Sequence, residues 1–294
     1  MKKQRFELQL GETILAYSLY TKSDAPALTP RRIMLLHGAG VAGELTWTFI
    51  SNYLEHWDEI LIPDLLGMGD SYFEPSDKLP FTIENISQSL FSLLRHLLWR
   101  EFDLVGYSLG GLVALELNRE AAVELGADLT PDFVINKLCL IEPALFSDQS
   151  LQAAIAFRQA FIPIAANIKA NPSEASHFLD FLQLVSPNRR SNTKMDALAV
   201  QRLQVRPFGF ANALAAVSHY AQDLDEHKLK SLIAAIPVGL GIVGGLSNPG
   251  LLMAQESIKT QQNKWQIEVL KNVDHSLVYV RPKQVAQLIN TYLE

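Results

Sequence analysis

Apolar and polar positions alternate at the start of the chain. Phe6 to Leu10 and Thr13 to Tyr20 each read as a half-buried strand, and Gly11-Glu12 between them predicts a hairpin. Arg31 to Leu36 and Glu59 to Pro63 are short apolar runs of the kind found in strands buried on both faces. The period then changes. Ile83, Ile86, Leu90, Leu93, Leu94 and Leu97 fall on one face of a helix spanning Thr82 to Leu98. Further strands are expected at Phe102 to Gly106, Phe133 to Ile141, Pro237 to Val243 and Trp265 to Leu270. Helices are expected at Leu45 to Leu54, Leu109 to Leu125, Leu251 to Thr260 and Pro282 to Leu293. Eight strands alternating with helices describe an α/β protein with a mostly parallel, doubly wound sheet.

The alternation stops between Leu145 and about Leu224. That stretch is rich in alanine, phenylalanine and leucine and contains no convincing strand pattern, as in Ala153-Ala154-Ile155-Ala156-Phe157. It is expected to form an inserted helical cap, which Pro163, Pro172, Pro187 and Pro207 would divide into about four helices. The expected organisation is thus a core of 1–144 and 225–294 with a cap of 145–224.

Composition narrows the partners. Across 294 residues, 48% are hydrophobic and 19% charged, a globular balance with enough apolar surface for a large core. The net charge of -6 offers no basic face for nucleic acid or an anionic membrane, and neither is expected as a partner. The longest apolar stretch noted, Ile233 to Leu246, is interrupted by Pro237 and glycines and is too short for a membrane span. Met1 to Glu7 runs into a strand pattern rather than an unbroken apolar segment, so no export signal is read. The single cysteine, Cys139, sits in an apolar run and reads as a core residue of a cytoplasmic protein.

One stretch carries chemistry by itself. In Val105-Gly106-Tyr107-Ser108-Leu109-Gly110-Gly111 a serine stands between small residues, after a predicted strand and before a predicted helix. This is the pattern of a nucleophile elbow, in which glycines two residues either side let the chain turn sharply enough to lift the serine hydroxyl above the sheet. The first amides of the following helix, beginning with Leu109 N–H, then point at whatever binds beside it. Gly38-Ala39-Gly40-Val41-Ala42-Gly43 also matches G-x-G-x-x-G, the dinucleotide fingerprint. A lone match is weak, and the nearest strand-end acid, Asp64, belongs to another loop.

Four segments in order resemble the α/β-hydrolase superfamily with a helical cap. They are His37-Gly38-Ala39-Gly40, the loop Pro63-Asp64-Leu65-Leu66-Gly67-Met68-Gly69-Asp70-Ser71, the elbow at Ser108, and Asp274-His275-Ser276 before the last helix. The resemblance implies Ser108 as nucleophile and His275 as its general base, since a serine hydroxyl attacks poorly at neutral pH until an imidazole takes its proton. It implies Leu109 as one oxyanion donor and Ala39, or the neighbouring Gly40, as the other. His37 is expected to shape the oxyanion loop without touching substrate. No cofactor and no metal site is implied.

The third member departs from the usual pattern. The loop after the strand that follows the cap reads Gly244-Gly245-Leu246-Ser247-Asn248-Pro249 and holds no carboxylate. Some members of the superfamily carry the acid at the end of the preceding strand, which here is Glu142 in Leu140-Ile141-Glu142-Pro143-Ala144. Asn248 or Ser247, acting through a water, is the alternative, with Asp148 a further candidate. The resemblance implies a serine hydrolase that cleaves a small or medium hydrophobic ester or thioester through an acyl-enzyme. A hydrolase-like binding protein with little turnover is the rival reading, motivated by the missing aspartate. Carbon–carbon bond hydrolysis is a further variant, and would want one of Arg189, Arg190, Arg202 or Arg206 beside the elbow.

Overall fold

A computed structural model describes residues 1–22, 28–74, 76, 78–124, 132–144, 150–189 and 192–294. The chain opens with the hairpin β1 (Lys2–Leu10) and β2 (Thr13–Thr21), whose register runs from Lys2 opposite Thr21 to Leu10 opposite Thr13. Gly11 takes the left-handed conformation the tight turn requires, with φ of 63°. β1 begins four residues before the alternating pattern does, because this edge strand is largely exposed and needs no apolar face to pair.

β3 (Arg32–Leu36), α1 (Gly43–Ser51), β4 (Glu59–Pro63) and the short β5 (Tyr72–Phe73) follow. Next come α2 (Ile83–Leu97), β6 (Glu101–Tyr107), α3 (Leu109–Glu124) and β7 (Val134–Ile141). Five described helices then intervene: α4 (Leu151–Gln159), α5 (Phe161–Ala170), α6 (Ala175–Val185), α7 (Thr193–Leu203) and α8 (Pro207–Gln222). The chain closes with α9 (Glu226–Ala234), β8 (Gly239–Gly244), α10 (Pro249–Gln261), β9 (Trp265–Leu270), α11 (Leu277–Val280) and α12 (Pro282–Leu293).

Among the described residues the sheet has nine strands in place of the expected eight. The main path β1-β2-β4-β3-β6-β7-β8-β9 contains eight, and the two-residue β5, too short to leave a sequence pattern, pairs with β2. Every neighbouring pair from β4 to β9 is parallel, and β1 and β2 are antiparallel additions at one edge. The chain winds outward from β3 to β4 and then returns to lay β6 on the other side of β3. The carboxyl ends of β3 and β6 therefore flank a crevice, the position where open α/β sheets bind ligands.

Alternate strand residues feed two cores. Ile33, Leu35 and Val105 pack with Trp47 and Ile50 of α1 and Val285 and Ile289 of α12, while Met34, Leu36 and Leu104 pack with Leu90 of α2 and Leu112 and Leu115 of α3. A third cluster, including Phe161, Phe178, Leu203, Phe210 and Leu214, lies within the helical insertion. α8 joins the insertion to the sheet layer, since Phe210 and Leu214 belong to the third cluster and Ala213, Val217 and Tyr220 to the α2/α3 core. Its Gly209 lies so close to the loop after β4 that a Cβ there would sit 1.7 Å from the Gly67 carbonyl oxygen.

The insertion has one helix more than its prolines suggest. Pro163 occupies the third position of α5, where the missing N–H has no intrahelical acceptor to forgo, so the break falls earlier, at Ala160. By length and composition alone Leu151–Ala170 could cross a membrane, with mean hydropathy 1.2, but it is bent into α4 and α5 at that point. α9 and α11 were not anticipated. α9 is a nine-residue segment started by Asp225, whose side chain accepts from Lys228 N–H at 2.7 Å.

Candidate active site

The elbow has the geometry its glycines allow. Ser108 stands between β6 and α3 with φ of 54°, a left-handed conformation rare for a residue with a side chain. A Cβ on Gly106 would lie 2.3 Å from the Gly110 carbonyl oxygen, and one on Gly110 would lie 2.4 Å from that of Leu36. Neither position tolerates a larger residue without moving backbone. Ser108 N–H donates to Ile141 O at 2.9 Å, and Ser108 O accepts from Ala144 N–H at 2.9 Å, so the turn is stitched to the end of β7.

His275 reaches the serine from the turn after β9, with Nε2 3.0 Å from Ser108 Oγ. Its Nδ1 is hydrogen-bonded to the Glu142 carboxylate, which is completely buried. The other Glu142 oxygen accepts from Gly244 N–H at 2.6 Å. An ionised Glu142 that accepts from Gly244 and from Nδ1–H leaves Nε2 as the acceptor for the serine hydroxyl. Like Ser108, Glu142 is left-handed, with φ of 45°.

The other acid candidates fare differently. Asn248 Oδ1 accepts from Gly250 N–H at 2.9 Å and caps α10, although the residue shares a small cavity with His275. Ser247 Oγ is buried and without a hydrogen-bond partner among the described residues. Asp148 and Arg190 lie outside the described residues.

The two candidates for the second oxyanion donor differ. Gly40 N–H points at Met68 Sδ, 3.2 Å away, whereas Ala39 N–H and Leu109 N–H have no partner among the described residues. His37, fully buried, fixes this loop: Nδ1 donates to Gly38 O at 2.7 Å and Nε2 accepts from Leu65 N–H at 2.8 Å. Burial holds its pKa below the usual histidine value, which keeps the ring neutral as both bonds require. Asp64 closes the neighbouring loop by accepting from Gly43 N–H at 2.7 Å and Asp70 N–H at 2.9 Å and by pairing with Arg5. Gly43 is thus committed to a carboxylate at the α1 N-terminus, as the discounted dinucleotide reading would not have it.

Two cavities meet at the serine. The larger, about 340 Å³, is lined by core residues such as Ala39 and Tyr279 and by insertion residues such as Phe181, Leu182, Leu198 and Leu203. The smaller, about 20 Å³, lies among Glu142, Phe157, Arg158, Asn248 and Leu251. Ser108, His275 and Val185 line both. Arg189 and Arg202 reach the larger cavity, where Arg189 pairs with Asp196 and Arg202 lies over the Tyr279 ring, 5.5 Å from its centroid. Arg206 instead donates through Nε to Gly69 O at 2.9 Å, holding α8 to the loop after β4.

Two residues beside this serine carry no distinctive sequence signal. Tyr107 lays its ring 5.1 Å from that of His275, and Arg158 is buried beside the small cavity. Tyr107 occupied the variable place of the elbow pattern, and Arg158 looked like any solvated helix position.

Solved structures with this architecture include an enol-lactonase from Burkholderia xenovorans LB400, with 17% identity and a TM-score of 0.72 over 98% of this chain and 99% of that one. A malate-bound thermophilic esterase from Thermogutta terrifontis aligns at 20% identity and a TM-score of 0.71 over 99% and 98%. An esterase from Exiguobacterium antarcticum aligns at 14% identity and a TM-score of 0.70 over 96% of each chain. At such identities the likeness speaks for the fold alone. Comparison with curated proteins gives no match. Residues 33–288, from the first parallel strand to the last helix, match the family model described as alpha/beta hydrolase, and the chain belongs to that family.

Proposed function

We propose that this protein is a serine hydrolase of small or medium hydrophobic carboxylic esters or thioesters. The observation that carries the reading is the unbroken path from the Glu142 carboxylate through the His275 ring to Ser108 Oγ. In the proposed reaction Ser108 Oγ attacks the substrate carbonyl carbon while its proton passes to His275 Nε2. The negative charge that develops on the carbonyl oxygen is met by Leu109 N–H and Ala39 N–H. Collapse breaks the bond to the alcohol or thiol, which leaves with the proton from Nε2. Water then attacks the acyl-serine with His275 again as base, releasing the acid and restoring Ser108.

The helical insertion acts as a cap in this reading. Its apolar side chains furnish much of the larger cavity wall, which suits a hydrophobic arm of the substrate and limits water around the oxyanion. Glu142 against the ring supports turnover over the rival reading of a non-catalytic binding protein, whose ground was the lack of an acid after β8.

A panel of nitrophenyl esters of increasing acyl length tests the proposal, with Ser108→Ala as control. Hydrolysis of at least one ester well above the control, and labelling of wild type but not the variant by a fluorophosphonate, is expected. No ester turned over faster than by Ser108→Ala would sink it.

A further inference from the structure

Arg158 is 7% exposed, and its Nε has no hydrogen-bond partner among the described residues. No carboxylate pairs with its guanidinium among the described residues. The group lies against two phenylalanine rings, its central carbon 5.2 Å from the Phe157 centroid and 5.4 Å from that of Phe161. Its own carbonyl accepts from Ser218 Oγ at 2.8 Å, which fixes this turn of α4 against α8. Burial pushes the guanidinium down to about 9, leaving it cationic at neutral pH. Buried charges in proteins are as a rule paired, so this one is incomplete as it stands.

The missing partner has a place to sit. Arg158 lines the small cavity, which also reaches Ser108 and His275, and whose volume of about 20 Å³ admits a group of roughly water or carboxylate size. An ester has two arms about its carbonyl carbon, and two cavities join at Ser108, one large and apolar, the other small with a cation in its wall. A planar guanidinium presents paired N–H donors that match a carboxylate. Resting on the reading of Ser108 as nucleophile, we propose that Arg158 receives a carboxylate carried on the shorter arm of the substrate, so that the preferred substrates are anionic esters with one hydrophobic arm. The larger cavity then takes the uncharged arm.

Matched ester pairs test this. Nitrophenyl hemisuccinate and hemiglutarate, against the butyrate and valerate, place the charge on the shorter, acyl arm and leave the nitrophenyl group for the larger cavity. Wild type is expected to favour the charged member of at least one pair by about tenfold or more in kcat/KM. Arg158→Met should lower the ratio of charged-ester to neutral-ester kcat/KM about 100-fold, chiefly by raising KM for the charged ester. Arg158→Lys should restore part of the preference. A wild type that prefers the neutral member of every pair overturns the proposal. So does a preference that survives Arg158→Met but vanishes in Arg202→Met.

Binding separates this proposal from the hydrolase reading. Glutarate titrated into Ser108→Ala by calorimetry should bind, and binding should be lost in Ser108→Ala/Arg158→Met, whether or not any ester is turned over. Equal glutarate binding by both variants, or none by either, overturns the role of Arg158. Should Arg158→Met fail to fold, the wild-type ester preferences and Arg158→Lys still decide the matter.

Discussion

The Tyr107 hydroxyl donates to the backbone carbonyl of His275 across 2.7 Å, joining the residue before Ser108 to the residue that faces it. Burial, with Tyr279, Glu142 and Asp274 nearby, raises the phenol well above its usual pKa, so it remains a donor throughout the working pH range. The same ring packs beside the imidazole. In the proposed reaction Tyr107 is a positioning residue. Tyr107→Phe is expected to lower kcat about tenfold with KM unchanged, since the loss of one hydrogen bond loosens the base without altering the cavity. Steady-state kinetics on the best nitrophenyl ester would show it.

Glu142→Gln should be far more damaging than its size suggests. Gly244 N–H would hold the amide oxygen, turning the amide NH2 toward His275 Nδ1. The ring would then carry its proton on Nε2 and could not accept one from Ser108. A fall in kcat on the order of 10³ to 10⁴ is expected. Asn248→Ala, which leaves the Glu142–His275 pair intact, is expected to lower stability by about 1 kcal/mol from the lost α10 cap, measured by chemical denaturation.

Glu116 ties α3 to α8, accepting from Tyr220 OH at 2.6 Å and pairing with Arg119 at 2.6 Å. Burial alone would raise its pKa, but the bonds from Arg119 and Tyr220 outweigh it and hold the carboxyl below its ordinary 4.5. A depressed folded-state pKa gives stability that is complete above pH 4.5 and lost as the pH falls through the folded value. Glu116→Gln is expected to cost about 2 kcal/mol at pH 7. Urea titrations of both proteins should converge below pH 4.5.

Gly209→Ala reverses a familiar trend. Alanine in a helix interior is ordinarily better than glycine by about 1 kcal/mol. Here its methyl group would meet the Gly67 carbonyl oxygen at 1.7 Å, so α8 must move off the loop it braces. A net loss of about 2 kcal/mol is expected. A rise in melting temperature would contradict the close packing described.

The parallel layers were legible because Ile33, Leu35, Val105 and Ile141 sit in runs that only a twice-covered strand explains. α9 was not, since a nine-residue polar-faced segment leaves little periodicity to read. Around Ser108 the glycines declared a turn whose tightness could be stated in advance. The acid stayed divided in the sequence between Glu142, Asn248, Ser247 and Asp148, because which loop reaches a given ring nitrogen depends on strand registers that pair residues far apart. The Glu142 carboxylate meets Gly244 across 102 positions of chain. Arg158 is invisible for a different reason: one arginine among alanines and phenylalanines looks the same whether water or two aromatic rings lie against it.

The left-handed backbone at Ser108 and Glu142 sets durability against turnover. Glycine is the residue that adopts such φ values without steric cost, and each side chain held there surrenders on the order of 1 kcal/mol of stability. With Ser108 as the proposed nucleophile, Ser108→Gly would thus yield a protein that outlasts its parent on heating and does no chemistry. Directed evolution for heat resistance alone would be drawn toward such dead variants, and any thermostabilising screen of this protein has to read product formation in the same well.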